Sequence, residues 1–468
     1  MNHSSLSPAT GKSGTAPATV PTAPGALPLL GHGLRFVRDP LEFVTSLRAH
    51  GDVVAIRVGT AKVLMVNHPD LVRKMLVDKA YAFDRGRQFE KLRPWWGNGL
   101  SVADGDFHLR QRRLMQPAFH RRQVAGYVRE MQEAAEAAVR VWTPGAPIRL
   151  DEELYALLVT MVARNLFSTS IDDATVARLQ AALPVILDGV GWRSLDPTDL
   201  LEKLPIPANR RFGQALSDMH AMVDEVIDHH DATAADLLSM LREARDPDTG
   251  EPMSRQQIHD ETITLMMVGS ETTRSTLSWA CHLLSRHPSV QREVQAEADR
   301  VLAGRPARAE ELGELAYTRR VVTETLRMYP PAWILTRRAT VDVDLGPYRI
   351  PAGTNVCYSS YAVHRDPSLY TDPDRFDPDR WLSERAGGVA RQDYLAFGAG
   401  SQGCIGEPVA WAQTAVVLST IARHWTLEPA PGAEAKPSAK LLLMPDRLTL
   451  IPRPRLDAPP GEPVPTPG

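Results

Sequence analysis

Apolar positions along this chain recur mostly at the three-to-four-residue spacing of helices, and in a few short stretches they alternate as in strands. Helical spacing dominates from about Leu109 to Ala422, and a shorter helical pattern covers residues 41–49. Residues 53–58 and 62–66 alternate around Gly59-Thr60, which predicts a β-hairpin. A second strand signal spans residues 348–355, punctuated by Pro351-Ala352-Gly353. The longest helical pattern runs from about Asp260 to Arg286 and stops before Pro288, a residue with no N–H to continue the ladder. At ~1.5 Å per residue it is about 40 Å long, the scale of a whole domain. Its centre, Val268-Gly269-Ser270-Glu271-Thr272-Thr273, holds poor helix formers, and mid-helix threonines can bond back to the preceding turn and bend it. Taken alone, that centre fits a weak spot in a core helix as well as it fits a functional site. The pattern predicts a mainly α protein with small β-sheets. One domain is expected over residues 25–456. A Pro/Ser/Ala-rich tail precedes it (1–24) and a Pro-rich tail follows it (457–468), both too poor in apolar residues to order themselves.

Composition narrows the function classes. The 468 residues are 43% hydrophobic, enough for a large core, and the formal net charge of -3 points to neither nucleic acid nor an anionic membrane. Three cysteines without CxxC spacing argue against a disulfide framework and a structural zinc site, and fit a reducing cytoplasm. No apolar stretch approaches the ~18 residues of a membrane span. The first residues lack the basic and apolar regions of a secretion signal. A cytoplasmic protein without a membrane anchor is expected.

The chemistry-bearing signals are local. Phe397-Gly398-Ala399-Gly400-Ser401-Gln402-Gly403-Cys404-Ile405-Gly406 packs three glycines before a cysteine, permitting tight turns and close approach to a flat ligand. A helical pattern starts just past Gly406, so its positive end would sit near the sulfur and favour a thiolate. A buried structural thiol in a Gly-rich loop is the bland alternative. Glu324 and Arg327 stand three apart on a helix and would share a face, as in many surface ion pairs. The segment His108 to Arg113 is basic, with His108 and Arg112 four apart on one face; Arg337 lies in Trp333-Ile334-Leu335-Thr336-Arg337-Arg338. By residue type alone these are solvated charges. Cys281 and Cys357 read as small buried side chains, His229-His230 as exposed rather than metal-binding, and His364 has no assigned role.

In these segments the chain resembles the cytochrome P-450 family, whose cysteine pattern is Phe-x-x-Gly-x-(Arg/His)-x-Cys-x-Gly. Phe397, Gly400, Cys404 and Gly406 match it, and Gln402 departs from the usual basic residue. The distal-helix pattern matches at Gly269, Glu271, Thr272 and Thr273, with Val268 departing. Phe376-Asp377-Pro378-Asp379-Arg380 resembles the segment whose arginine joins the Glu-x-x-Arg pair. The resemblance runs from about residue 27 to 455. It implies the family's fold, a triangular prism of helices around a buried heme b (iron protoporphyrin IX), with Cys404 as the axial ligand of the iron. It implies that Phe397, Gly398 and Gly406 border the cofactor, that His108, Arg112 and Arg337 meet its propionates, and that Glu324, Arg327 and Arg380 form a buried structural network. Glu271 and Thr272 are implied in proton delivery.

The implied function is that of a heme-thiolate monooxygenase of bacterial, soluble type, inserting one atom of dioxygen into a hydrophobic small molecule. Electrons would come from a ferredoxin and its reductase, and Arg110, Arg112, Arg113, Arg121 and Arg122 could steer an acidic ferredoxin. A monomer is expected. A peroxygenase or isomerase of the same fold is the nearer alternative; the acid–alcohol pair at 271–272 argues against it. A non-enzymatic heme-binding sensor is the more distant one. Residues 20–33, Ala82-Phe83-Asp84, Asn98-Gly99-Leu100 and residues 205–212 resemble bacterial sesquiterpene hydroxylases. The expected pocket lining is apolar: Phe89, Trp95, Trp96, Met267, Val268, Trp333, Ile334 and Leu335. Such a lining suits a terpene-like skeleton of secondary metabolism.

Overall fold

A computed structural model describes residues 18–455 except 60, 169–170, 196–201, 203, 232, 235 and 386–392. Thr60 of the expected hairpin turn, residues 1–17 of the expected leading tail and the expected trailing tail all lie outside the described residues. Residues 18–24 were assigned to the leading tail by composition, yet they pair with the fold. Ala18 N–H donates to Pro347 O at 2.9 Å, Ala55 N–H to Pro21 O at 2.8 Å, and Ala23 N–H to Ala55 O at 2.9 Å. The contacts run through backbone groups, which a Ser/Ala/Pro-rich stretch still offers, and Ala23 is small enough to be buried there.

The hairpin forms as its alternation predicts: β1 (Val53–Val58) pairs antiparallel with β2 (Ala61–Val66), from Val53↔Val66 to Val58↔Ala61. The second strand signal splits at Pro351. Tyr348–Ile350 pairs with Val343–Leu345 in a separate ribbon, while Asn355–Tyr358 runs parallel to β2 in the main sheet. The strand Leu335–Ala339 pairs antiparallel with Asn355–Tyr358, and a two-residue strand, Phe83–Asp84, closes the far edge. The helical pattern at 41–49 becomes the α-helix Pro40–Ser46 followed by a 3-10 turn, Leu47–His50.

Helices make up the other side of the molecule. The long helix spans Arg255–Arg286, starting earlier than apolar spacing suggests. Its start is set by a capping box: Ser254 Oγ accepts the Gln257 N–H while Gln257 Oε1 accepts the Ser254 N–H. It ends where Pro288 opens the next helix, Pro288–Leu302. It packs between the helices Leu150–Phe167 and Glu407–His424, which is why it is buried nearly all round. The main apolar core fills this helical layer, and two smaller clusters lie one on each face of the sheet.

Candidate active site

Backbone bonds build the cysteine loop. Gly398 N–H donates to Leu395 O at 2.9 Å, Gly403 N–H to Gly400 O at 3.1 Å, and Cys404 N–H to Phe397 O at 2.7 Å. Gly398 and Gly400 have φ of 71° and 68°, a region that side-chain-bearing residues avoid. At Gly400 a Cβ would also run into the Leu76 carbonyl oxygen. The helix Glu407–His424 starts just past the loop, as its pattern predicts. Burial is the strongest influence on the Cys404 thiol and pushes it above its ordinary value. The Gly406 and Glu407 N–H groups and Arg112 act the other way. The accessible face of Cys404 opens into a cavity, so contact with that space and burial away from bulk water are compatible.

A buried polar network holds this loop's surroundings. Glu324 and Arg327, on the helix Ala316–Met328, are wholly inaccessible, which excludes a surface ion pair. Arg327 Nε and Nη2 donate to the two Glu324 oxygens at 2.8 and 2.9 Å, and Nη1 donates to His364 O and Pro373 O. Glu324 also accepts from Arg380 Nε at 3.3 Å, Trp381 Nε1 at 2.9 Å and the Asp377 N–H at 3.1 Å. With every member bonded, the desolvation penalty of burying these charges is offset. His364, given no role from sequence, joins this network to the cysteine loop. Its Nδ1 lies 3.1 Å from Arg327 O, and its Nε2 accepts the Leu395 N–H at 2.8 Å. Nδ1 therefore carries the proton, and burial, with Arg327 beside it, drives the imidazole down to about 3, keeping it neutral.

The cavity lies between the cysteine loop and the long helix. Thr264, Leu265, Val268, Gly269, Thr272, Thr273 and Thr276 recur at helical spacing and form one wall. Thr272 Oγ1 donates back to Val268 O at 2.9 Å. Glu271, the adjacent residue, does not line the cavity. It is buried on another face, where Oε2 accepts Arg274 Nη2 at 2.6 Å and Arg274 lies over the Tyr155 ring. Burial raises the Glu271 carboxyl above its usual range despite Arg274.

Of the expected pocket lining, Phe89, Val268 and Leu335 line the cavity. Trp95, Trp96, Met267, Trp333 and Ile334 do not, and each is corrected to a packing role. Trp95 meets Phe212 edge-on at 5.5 Å, and Trp96 is buried in the main core. Met267 is one helix position from Val268 and so points into the core. Trp333 stacks on Phe36 at 6.0 Å and donates from Nε1 to Lys440 O, with Ile334 packed in the same cluster. Leu335 and Arg337 share a strand face and both reach the cavity. Sequence reasoning missed Leu100, Met115, Val162, Leu166 and Leu237, which come from segments that converge only in three dimensions.

Four basic side chains border the same cavity: Arg85, His108, Arg112 and Arg337. Arg85 was not foreseen; it follows Asp84 directly and carries no periodic signal. Burial first, then Arg337, lowers it to about 10. Burial and the three neighbouring guanidiniums drive His108 down to about 4. Arg112 Nη1 donates to Gly403 O at 2.5 Å, tying its helix, Gly105–Met115, to the cysteine loop. No Asp or Glu is among the described residues lining this cavity, and His108 Nε2 and Gln402 Oε1 are buried without a partner. Three guanidiniums in a wall that carries no carboxylate call for an anionic ligand. A heme fits these residues: a thiol for the iron, apolar walls for the ring, and guanidiniums for two acid groups.

Outside the cavity, Arg110 and Arg113 pair with Asp246 and Asp248, each at 2.8 Å. Of the expected basic cluster only Arg121 and Arg122, at the start of the helix Arg121–Arg140, are left exposed without a carboxylate among the described ion pairs. His230, expected to be exposed, is buried against Asp236 at 2.9 Å, and no His/Cys/Asp/Glu cluster suited to a metal ion occurs among the described residues. Cys281 and Cys357 are buried, with thiols pushed up to about 12.

The family model for cytochrome P-450 matches residues 21–452. Cyclooctatin synthase of Streptomyces melanosporofaciens is 44% identical, over 92% of this chain and 95% of its own. Cyclooctat-9-en-7-ol 5-monooxygenase of the same organism is 44% identical, over 89% and 91%. Pentalenene oxygenase of Streptomyces avermitilis is 41% identical, over 89% and 93%. A solved cytochrome P-450 heme domain superposes with a TM-score of 0.85 at 26% identity, covering 94% of this chain and 98% of that one. The chain therefore belongs to the cytochrome P-450 family. It is a heme-thiolate monooxygenase that binds heme b and uses dioxygen, a redox partner and a hydrophobic substrate. No helix among the described residues is long and apolar enough to cross a membrane.

Proposed function

We propose that this monooxygenase hydroxylates a terpene-like substrate, with Cys404 as the residue that would ligate the heme iron. The observation that carries the reading is the cavity itself: a thiol on its floor, and walls in which the hydroxyls of Thr272, Thr273 and Thr276 are all already bonded to protein. What is left to meet a substrate is largely apolar: Phe89, Leu100, Leu265, Val268 and Leu335. The names of the three relatives support the terpene class.

Bound in this cavity, heme supplies the activation of dioxygen and its insertion into a C–H bond. The chain supplies the rest. Arg85, Arg112 and Arg337 would hold the acid groups and so orient the ring, and His108, neutral at physiological pH, would offer Nε2 as a further partner. Phe397, Gly398 and Gly406 would border the ring, and Glu324, Arg327 and Arg380 keep the loop in place. Thr272 presents its hydroxyl to the cavity for proton delivery, and Glu271, whose carboxyl burial keeps more readily protonated, is the acid that replenishes it. Electrons come from a ferredoxin and its reductase, docking on the cysteine side, where Arg121 and Arg122 are exposed on a helix packed against Glu407–His424. The protein acts as a cytoplasmic monomer.

Spectral titration tests the substrate class. Cyclic terpenes are expected to convert the purified holoprotein from low to high spin at micromolar concentrations, whereas macrolides and fatty acids of similar size leave it unchanged. A panel in which only the latter shift the spectrum contradicts the terpene reading.

A further inference from the structure

Among the polar atoms of the cavity wall that have no hydrogen-bond partner, two are hydroxyls on chain segments that touch each other. Along the long helix Thr262, Ser270, Thr272 and Thr276 each donate to the carbonyl four residues back, at 2.7–3.2 Å. This is how a hydroxyl buried mid-helix is ordinarily satisfied. Thr264 and Ser278 are left unbonded, and of the two only Thr264 lines the cavity: it is 3% exposed, and its Oγ1 has no hydrogen-bond partner. The loop that follows Trp96 presses on the same point. A Cβ on Gly99 would collide with Thr264 Oγ1, so the bare Gly99 backbone sits directly against that hydroxyl. The loop is held there firmly. Asn98 N–H donates to Asp260 Oδ2 and Leu100 N–H to Glu261 Oε2, both at 2.8 Å, and the Val102 and Ala103 N–H groups close a turn onto Gly99 O. Two residues beyond Gly99, Ser101 also lines the cavity, and its Oγ is likewise buried and without a partner.

A buried hydroxyl left unbonded costs about 1–3 kcal/mol. Two of them, on a pinned loop and the helix turn it touches, make a built polar subsite, on chain segments other than those that carry the unbonded His108 and Gln402 atoms and the unbonded Asn165 amide. Being hydroxyls, they suit a neutral group that both donates and accepts. We infer that Ser101 and Thr264 hold an oxygen atom already present on the substrate, so that this protein oxidises an alcohol or ketone of its terpene-like skeleton rather than the bare hydrocarbon. The inference rests on the terpene reading for the skeleton alone; the hydroxyl preference stands on the two orphaned groups whatever the skeleton. It also assigns a place in a reaction sequence. A prior oxidation, or a cyclisation ended by water, must supply the oxygenated substrate. Holding that oxygen at Ser101 and Thr264 fixes which carbon faces the cofactor.

Matched pairs of ligands test it, each pair a hydrocarbon and its alcohol on one skeleton, with cyclic terpene pairs and linear alkane–alkanol pairs in the panel. Spin-state titration of the wild-type holoprotein is expected to show the alcohol binding roughly tenfold more tightly than its hydrocarbon, the size of one to two neutral hydrogen bonds. Ser101→Ala and Thr264→Val are each expected to lose part of that preference. In the double variant it should fall below about twofold, with hydrocarbon affinity unchanged or raised. Equal loss of affinity for both members of a pair would mean that the residues only pack the wall, and would overturn the inference. So would a wild-type protein that prefers the hydrocarbon, or one in which no oxygenated probe shifts the spectrum. Preference within a pair reports on the hydroxyl subsite. Preference between cyclic and linear skeletons reports on the terpene reading, so the two fail separately.

Discussion

Cys404→His is expected to give a folded, heme-containing protein whose ferrous carbon monoxide complex lacks the red-shifted Soret band of a thiolate ligand. Monooxygenase turnover should fall on the order of a thousandfold, about 4 kcal/mol in the barrier. The fold should survive because the cysteine side chain does little for it. The loop is set by the Cys404 N–H to Phe397 O bond and by the glycine conformations at 398 and 400, all of which are backbone features. The sulfur faces the cavity, leaving room for an imidazole. Turnover should not survive, because the electron-rich thiolate promotes O–O cleavage, and a neutral imidazole donates less. Visible spectra of the ferrous carbon monoxide complex and a thermal melt, taken together, separate loss of the ligand from loss of the fold. Persistence of the thiolate-type band in the variant would show that another residue ligates the iron.

Glu324→Ala acts on the other buried charge system and should be the most damaging single substitution in the scaffold. Glu324 accepts from Arg327, Arg380, Trp381 and the Asp377 backbone, and both Glu324 and Arg327 are wholly inaccessible. Removing the carboxylate strands a buried guanidinium, at ~3–5 kcal/mol. A typical domain has only about 5–15 kcal/mol of stability to lose. The variant should accumulate poorly and be recovered with a low heme-to-protein ratio. Glu324→Gln keeps an acceptor and the side chain's volume and should fall between the two. Heme content by pyridine hemochromogen and the midpoint of thermal unfolding measure both effects. A fully heme-loaded Glu324→Ala protein with an unchanged melt would contradict the structural role given to this network.

What the sequence made legible was whatever has a local physical cause. The glycine spacing before Cys404 has one, because those backbone angles and the approach to Leu76 exclude side chains. So does the end of the long helix at Pro288, and so does the pairing of Glu324 with Arg327, three residues apart on one turn. What stayed hidden depends on rotation or on distant chain. Apolar character placed Met267 and Trp333 in the pocket, but the side each residue turns to the cavity is set by packing, and both face the core. Adjacency in sequence paired Glu271 with Thr272 in the relay but did not show that the two side chains face different ways. Adjacent helix positions point about 100° apart, and Arg274 holds the carboxylate on another face. Arg85, His364 and Ser101 gave no periodic signal, and Thr264 gave only that of its helix; each acquires meaning only from what the fold leaves charged, bonded or unbonded around it.

The most direct test of the whole account is the source of the oxygen in the product. The purified protein, reconstituted with a ferredoxin, its reductase and a reduced nicotinamide, would be given an oxygenated cyclic terpene under isotopically labelled dioxygen in ordinary water, and the product weighed by mass spectrometry. Monooxygenation predicts that each hydroxylation adds one labelled oxygen atom, with product formed only when the electron donors and dioxygen are both present. Product carrying unlabelled oxygen, or product formed without dioxygen, would contradict it.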